Sequence, residues 1–271
     1  MTTHSSTTVS AGQLPARRQA RRRLAGLVAF ALLLALLIPL SVVVGSRPIG
    51  FEAAWRAISA FDPANSEHLL VVHLRIPRTL LAIVVGAGLG VAGAIMQALT
   101  RNPLADPGLF GVNAGAAAAV AAAIAYLGTA NVTAYMGFGL LGAGLAGAAI
   151  YALGDLGRGA NPVRVVLAGA AISVVLLSLT QIILINSDER IFDQYRHWTV
   201  GSLQGRGFEV MGPVSLLTAL GLGIALLLAR PLDALALGQD LSRALGTNPA
   251  RVWSLAAIAV IVLAGAATAA A

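Results

Sequence analysis

The sequence predicts an all-α fold, a polytopic transmembrane helical bundle, and three observations carry that prediction. Hydrophobic residues fill 58% of the 271 positions and charged residues only 11%, at a mean hydropathy of +0.83, well outside the range of soluble domains. Uncharged runs of near twenty residues recur along the chain, and at 1.5 Å per residue such a helix crosses the roughly 30 Å hydrocarbon layer of a bilayer. The segments between these runs are short and carry the Arg, Asn, Asp and Pro residues.

Composition also excludes several chemistries. Without cysteine, the chain has no disulfide framework, no thiolate metal ligand and no thiol nucleophile. All 18 basic residues are arginine, so there is no lysine for a phosphate-binding loop or a Schiff base, and any ATP used is hydrolysed by a partner. The net charge of +7 does not indicate nucleic acid, because Arg17, Arg18, Arg21, Arg22 and Arg23 directly precede an apolar span, as expected at a cytoplasmic membrane boundary.

In chain order, residues 1–23 read as a disordered basic cytoplasmic tail and residues 24–271 as a transmembrane domain. The first span is Leu24 to Val44, a retained anchor because many further spans follow, with Pro39 near its outer end. Between Arg47 and Leu69, Phe51, Ala54, Trp55, Ile58 and Phe61 recur at helical spacing, with Glu52 and Arg56 on the other face. That pattern predicts a short helix on the outer membrane surface. The second span, Thr79 to Ala98, places Gly86, Gly90 and Gly93 on one face, where another helix is expected to pack closely. Asn102-Pro103 and Asp106-Pro107 then break the helix, and Asp106 with Pro107 forms an N-cap and first-turn pair for the next one.

Spans three to five are Leu109 to Leu127, Val132 to Leu153 and Val165 to Ile185, the last preceded by a turn carrying Arg158 and Arg164. Residues 186–209 hold Phe192, Tyr195 and Trp198 and predict a second surface helix. Span six is Val210 to Ala229, and span seven, Val252 to Ala271, ends in ATAAA with no polar flank, so further spans are expected beyond it. With the amino terminus in the cytoplasm, 11 arginines fall inside and 7 outside, which supports that orientation.

The seven spans hold no Asp, Glu, Arg, Lys or His between their ends, which argues against an ion-driven secondary carrier, the alternative along with a non-transporting scaffold. Gln97, Asn113 and Gln181 are the deepest polar residues and serve either helix packing or pathway lining. His68, His73 and His197 lack the spacing of a metal or haem ligand set. Arg75 and Arg78, three apart at the outer end of span two, either reach lipid phosphate or dock an acidic partner. Leu237, Leu241 and Leu245 repeat every four residues while Gln239, Asp240 and Arg243 face elsewhere, and Gly238 and Gly246 bracket them. This is a short amphipathic helix that lies on lipid or presses into a cytoplasmic protein.

Five motifs in order, RIPRTL (75–80), GAGLGVAGAIMQALTRNPLADPGLFGVNAGA (86–116), LAGAAIS (167–173), WTVGSL (198–203) and LALGQDLSRALG (235–246), resemble the permease subunits of bacterial ABC importers for iron chelates, haem and cobalamin. The resemblance runs from about Arg21 to Ala271. It implies a bacterial inner-membrane permease with more helices than the seven spans here, paired with a second permease subunit around a central pathway. Two ATPase subunits holding ATP-Mg would bind below, and an external binding protein would deliver the metal chelate from above. By the same resemblance, Arg75 and Arg78 meet acidic residues of that binding protein. The segment Gly238, Asp240, Leu241, Arg243, Leu245 and Gly246 corresponds to the helix that contacts the ATPase, and no cofactor is expected in this chain.

Overall fold

A computed structural model describes residues 13–128, 131–155 and 162–271, which form two compact units, one ending at Arg75 and one beginning at Ile76. Most of the expected amino-terminal tail, and Arg158, lie outside the described residues.

The first unit opens with α1 (Gln13–Val43), which passes through Pro39. Arg17 to Arg23 therefore sit on the opening turns of this helix and not in an unstructured tail, a correction that follows from the good helix propensity of the Ala-Arg-rich run. Large side chains from Leu24 to Leu40 are exposed all along α1, as suits a span facing lipid. Next, α2 (Phe51–Ser59) buries Ala54 and Ala57 while Phe51, Trp55 and Ile58 stay exposed on the other side, and Arg56 pairs with Glu52 four residues earlier. The expected stripe is thus split: its alanines pack inward, and its large side chains face outward. In α3 (Ser66–Leu70), Asn65 caps the helix by accepting from the Glu67 N–H at 2.9 Å. One π-helical turn follows, Val71–Arg75.

The second unit is built from α4 (Ile76–Thr100), α5 (Val112–Leu127), α6 (Val132–Leu153), α7 (Pro162–Ile185), α8 (Glu189–Val200), α9 (Phe208–Ala236), α10 (Gln239–Ala244) and α11 (Pro249–Ala270). Helix α9 continues through Arg230 and Pro231 to Ala236, beyond the expected end of span six. Proline at 231 costs one backbone hydrogen bond, which the helix tolerates because Leu228, Leu232 and Leu235 are buried on one face.

Helix α11 lies at the centre, with Trp253, Ala256, Val260 and Leu263 essentially inaccessible, packed against α4, α6 and α9. Knobs on α11 meet glycine holes: Ile261 fills the place of a side chain on Gly147 of α6, and Leu263 that on Gly221 of α9. On α4 the buried face is Leu81, Gly88, Ala92, Ile95, Met96 and Leu99. Among the described residues, no atom lies within 4 Å of a Cβ placed on Gly86, Gly90 or Gly93, so no described helix packs on that face. Burying the large side chains on the opposite face yields more hydrophobic free energy than burying bare backbone, and that decides the rotation of the helix.

Among the described residues, six helices are long and apolar enough to cross a membrane: Arg18–Val43, Ser66–Thr100, Thr133–Leu153, Val163–Ile185, Phe208–Ala236 and Pro249–Ala270. The expected third span, α5, has only 16 residues, about 24 Å, and its shortness leads to the site.

Candidate functional site

The chain leaves α4 at Arg101, whose guanidinium donates to the Leu235 carbonyl at 2.6 Å, near the end of α9 that leads into α10. Twelve residues on, Asn113 in the first turn of α5 meets Thr268 in the last turn of α11, Thr268 Oγ1 donating to Asn113 Oδ1 at 3.0 Å. Gly265 of α11 packs at once on Val112 and on Leu140 and Ala143, midway along α6, so α5 begins inside the bundle. The segment between is a re-entrant turn that covers the first part of the crossing, so a short helix can finish it.

Non-helical backbone at this depth must satisfy its own polar groups. Asn102 Oδ1 accepts from the Leu104 N–H at 3.0 Å, and Asp106 Oδ1 accepts from the Gly108 N–H at 2.7 Å. Asp106 and Pro107 start a single 3-10 turn, Pro107–Phe110, and Gly111 at φ 63° redirects the chain into α5. The helix therefore begins at Val112 and not at Leu109, because the left-handed residue has to come first. Phe110 and Val112 are fully buried, and the Leu109 carbonyl lies so near Gly169 of α7 that no side chain fits there. Beyond the turn, α5 and α6 cross at Gly115 and Gly142, where each glycine's carbonyl occupies the space of the other's missing Cβ.

Above this turn, between α4, α5, α7, α8 and α11, is a cleft of about 630 Å³. Its polar side chains are Asn113, Ser173, Thr199 and Thr268, and its aromatic ones are Tyr195 and Trp198, whose ring centroids are 6.0 Å apart. No Asp, Glu, Arg or His lines it. Among the described residues, no group of three His, Cys, Asp or Glu side chains could hold a metal ion. A second hollow, about 600 Å³ between α5, α6 and α7, is lined by Ala, Gly, Leu, Ile and Val alone.

Of the other polar residues singled out, Gln97 on α4 and Gln181 on α7 are exposed and do not line the cleft. Sequence reasoning singled out Asn113 but missed Thr268 and Ser173, since hydroxyl residues inside apolar helices carry no distinctive spacing.

Arg75 is not the exposed docking cation expected of it. It is 4% accessible, and its Nη1 donates to the Val42 and Val43 carbonyls at 2.8 and 2.6 Å while its Nη2 donates to the Arg47 carbonyl. The last carbonyls of α1 have no intrahelical partner, so the guanidinium caps them. Gly45 makes room, since a Cβ there would lie 2.9 Å from Arg75 Nη2. His68 is also buried, its Nδ1 accepting from the Asp62 N–H at 3.0 Å, whereas His73 is exposed and makes an edge-on contact with Phe61. In the second unit Arg78 is half-buried. His197 Nδ1 lies 2.7 Å from the Asp193 carbonyl in α8, where it completes a helical turn. Burial pulls the Arg206 guanidinium below its ordinary pKa while it donates to the Ser202 and Ala271 carbonyls at 3.2 and 2.9 Å.

At the opposite end from α8, Gly238 (φ 119°) and Gly246 (φ 80°) bracket α10. Ser242 is fully buried, and Leu237, Leu241 and Leu245 are exposed together with Asp240 and Arg243.

Comparison with known proteins agrees with this architecture. Residues 33–271 match the FecCD transport family. The probable siderophore transport system permease protein YfiZ of Bacillus subtilis is 36% identical over 230 residues, 84% of this chain and 68% of that protein. The ferric enterobactin transport system permease protein FepD of Escherichia coli is 38% identical over 240 residues, 88% of this chain and 71% of that one. Among solved structures, a metal-chelate type ABC transporter in an inward-facing conformation shares the fold with a TM-score of 0.76 at 24% identity, covering 89% of this chain and 74% of its own. With the family match spanning nearly the whole helical bundle, the chain belongs to the FecCD transport family.

Proposed function

We infer that this chain is the membrane-spanning permease subunit of an ATP-driven ABC importer of iron chelates, moving its cargo by alternating access with no covalent chemistry of its own. The observation that carries the reading is the family match over residues 33–271, laid on a bundle whose re-entrant turn floors an uncharged cleft. Non-helical backbone at membrane depth is tolerated where it is packed in protein or lines a cavity, and here it does both. In this reading a second permease subunit pairs with the chain, two ATPase subunits bind at the α10 end, and an external binding protein docks at the α8 end. The amino terminus is then cytoplasmic. The test is uptake of ⁵⁵Fe-labelled ferric siderophore, ferric citrate and hemin by cells expressing the gene with its ATPase and binding-protein partners. Uptake no greater than in the deletion strain would overturn the reading.

The exposed Leu241 of α10 and Leu245 just after it form an apolar contact for the ATPase, with Asp240 and Arg243 at its edge. Changing both leucines to Asp places two charges in that contact without touching the buried Ser242 that anchors the helix. Copurification of the ATPase is expected to fall by tenfold or more, on the order of the 1.4 kcal/mol or greater that two interfacial charges cost. A double variant that still copurifies with, and stimulates, the ATPase would remove α10 from the coupling surface.

Docking of the binding protein falls to Arg78, because Arg75 is committed to the α1 carbonyls. Arg78→Glu is expected to weaken association with the binding protein and to lower uptake, while ATPase assembly is unchanged. Full uptake in that variant would sink the docking role.

A further inference from the structure

Arg101 follows the last residue of α4, and its backbone and side chain are both unusual. At φ 52° it takes the left-handed conformation common just past a helix C-terminus, a position that glycine fills most often and that strains a residue with a Cβ. Such strain persists only where surrounding contacts hold it in place. Here the side chain supplies the contact, Nη2 donating at 2.6 Å to the carbonyl of Leu235, 134 positions along the chain. Among the described residues, no carboxylate pairs with Arg101.

The acceptor lies at the junction of two helices. The Leu235 carbonyl also accepts from the Gly238 N–H at 3.1 Å, and at Gly238, with φ 119°, the chain leaves α9 for α10. A carbonyl oxygen has two lone pairs, and Gly238 and Arg101 use both. The Gly238 carbonyl in turn accepts from the Ser242 N–H at 2.9 Å, which carries the same run of bonds into α10. On the other side of Arg101 the turn is closed on itself. The Asn102 carbonyl and Oδ1 accept from the Ala105 and Leu104 N–H groups at 3.1 and 3.0 Å, and Ala105 is buried in the cluster that holds Leu99, Leu232 and Leu235. At its far end the turn meets α7, where the Leu109 carbonyl fills the space of a Cβ on Gly169. A close-packed interior has no free volume to absorb a shift, so displacement at one end of this run is passed to the other.

Resting on the permease reading, we propose that Arg101 is a positioning residue that joins the re-entrant turn to the base of α10, so that a movement imposed on α10 by the ATPase reaches the Asn102–Gly111 turn and, through Leu109, α7. The guanidinium is otherwise exposed, and water competes for such a group, so its bond contributes little to stability. Its value lies in where it holds the turn.

Arg101→Gly separates positioning from stability, because it removes the bond while relaxing the left-handed backbone. The chain is reconstituted with its ATPase and binding-protein partners in proteoliposomes. Uptake of ⁵⁵Fe-labelled ferric siderophore, ferric citrate and hemin is measured together with ATP hydrolysis. Uptake per ATP hydrolysed is expected to fall about fivefold or more in Arg101→Gly, the low end of a typical coupling between two sites. Arg101→Lys, which keeps a cationic donor on a long stem, is expected to lose less. The unfolding temperature of Arg101→Gly in detergent stays at or above that of the unsubstituted chain, and the ATPase still copurifies. Because the sequence has no cysteine, spin labels on Leu104→Cys and Asp233→Cys, both exposed, report the separation of the turn from the end of α9. That separation is expected to be narrow with and without ATP-vanadate on the ATPase, and to broaden in Arg101→Gly. Unchanged uptake per ATP, an unbroadened separation, or a loss of uptake that merely follows a lower unfolding temperature or a missing ATPase would each overturn the positioning role. These failures occur in a chain that still takes up a chelate, whereas no uptake of any of the three by the unsubstituted chain overturns the permease reading and the coupling role with it.

Discussion

Gly142→Val is expected to destabilise the folded bundle strongly in detergent. At the α5–α6 crossing the Gly115 carbonyl already occupies the position of a Cβ on Gly142, and the Ala119 methyl lies 2.6 Å from that position. These neighbours are backbone and a short side chain on a helix, so neither can swing aside, and the two helices must separate along their length. Overpacking of this kind costs about 3 kcal/mol, a large part of the net stability of a domain. The check is size-exclusion chromatography with thermal unfolding in detergent. Gly90→Ala is the control, because nothing lies within 4 Å of its new methyl and alanine is the better helix former by roughly 1 kcal/mol. A Gly142→Val protein as monodisperse and heat-stable as the control would show that the crossing is looser than its geometry.

Arg75→Ala is expected to cost about 3 kcal/mol or more, since it removes charge-assisted bonds to three carbonyls that are otherwise short of donors. Arg75→Lys recovers only part of this, because an ammonium is a point charge on a flexible stem and cannot spread a planar fork across Val42, Val43 and Arg47. The readout is hydrogen exchange at residues 44–49, which should quicken strongly in Arg75→Ala and less in Arg75→Lys. Unchanged protection in the alanine variant would contradict the cap. This also alters how docking must be probed: reversing Arg75 and Arg78 together would disturb the α1 terminus whatever the binding protein does, so Arg78 alone is the informative position.

Much of the architecture is legible in the sequence because membrane insertion depends on length, apolarity and charge, which are local properties. The helix break after Thr100 follows from two X-Pro pairs, and Asp106 caps what comes next as its residue type dictates. The glycines around α10 are equally legible, because both take left-handed or otherwise glycine-only backbone. The faces of α4 and α2 were not. Sequence periodicity marks where glycines or aromatics align, yet which stripe turns inward depends on the partner helix, and no partner is present in a local pattern. Arg75 shows the same limit, since Gly45 and the exposed carbonyls of α1 are some thirty residues away in sequence.

The sequence by itself determined that the chain is a bundle of membrane-spanning helices, where it turns, and which family its motifs resemble. Only the tertiary structure decided that the Asn102–Gly111 turn re-enters the bundle, that α11 is its central helix, and that Asn113, Thr268, Tyr195 and Trp198 share one cleft. The physical reason is that hydropathy acts residue by residue along the chain. A cleft exists only where helices from distant segments meet without filling the space between them.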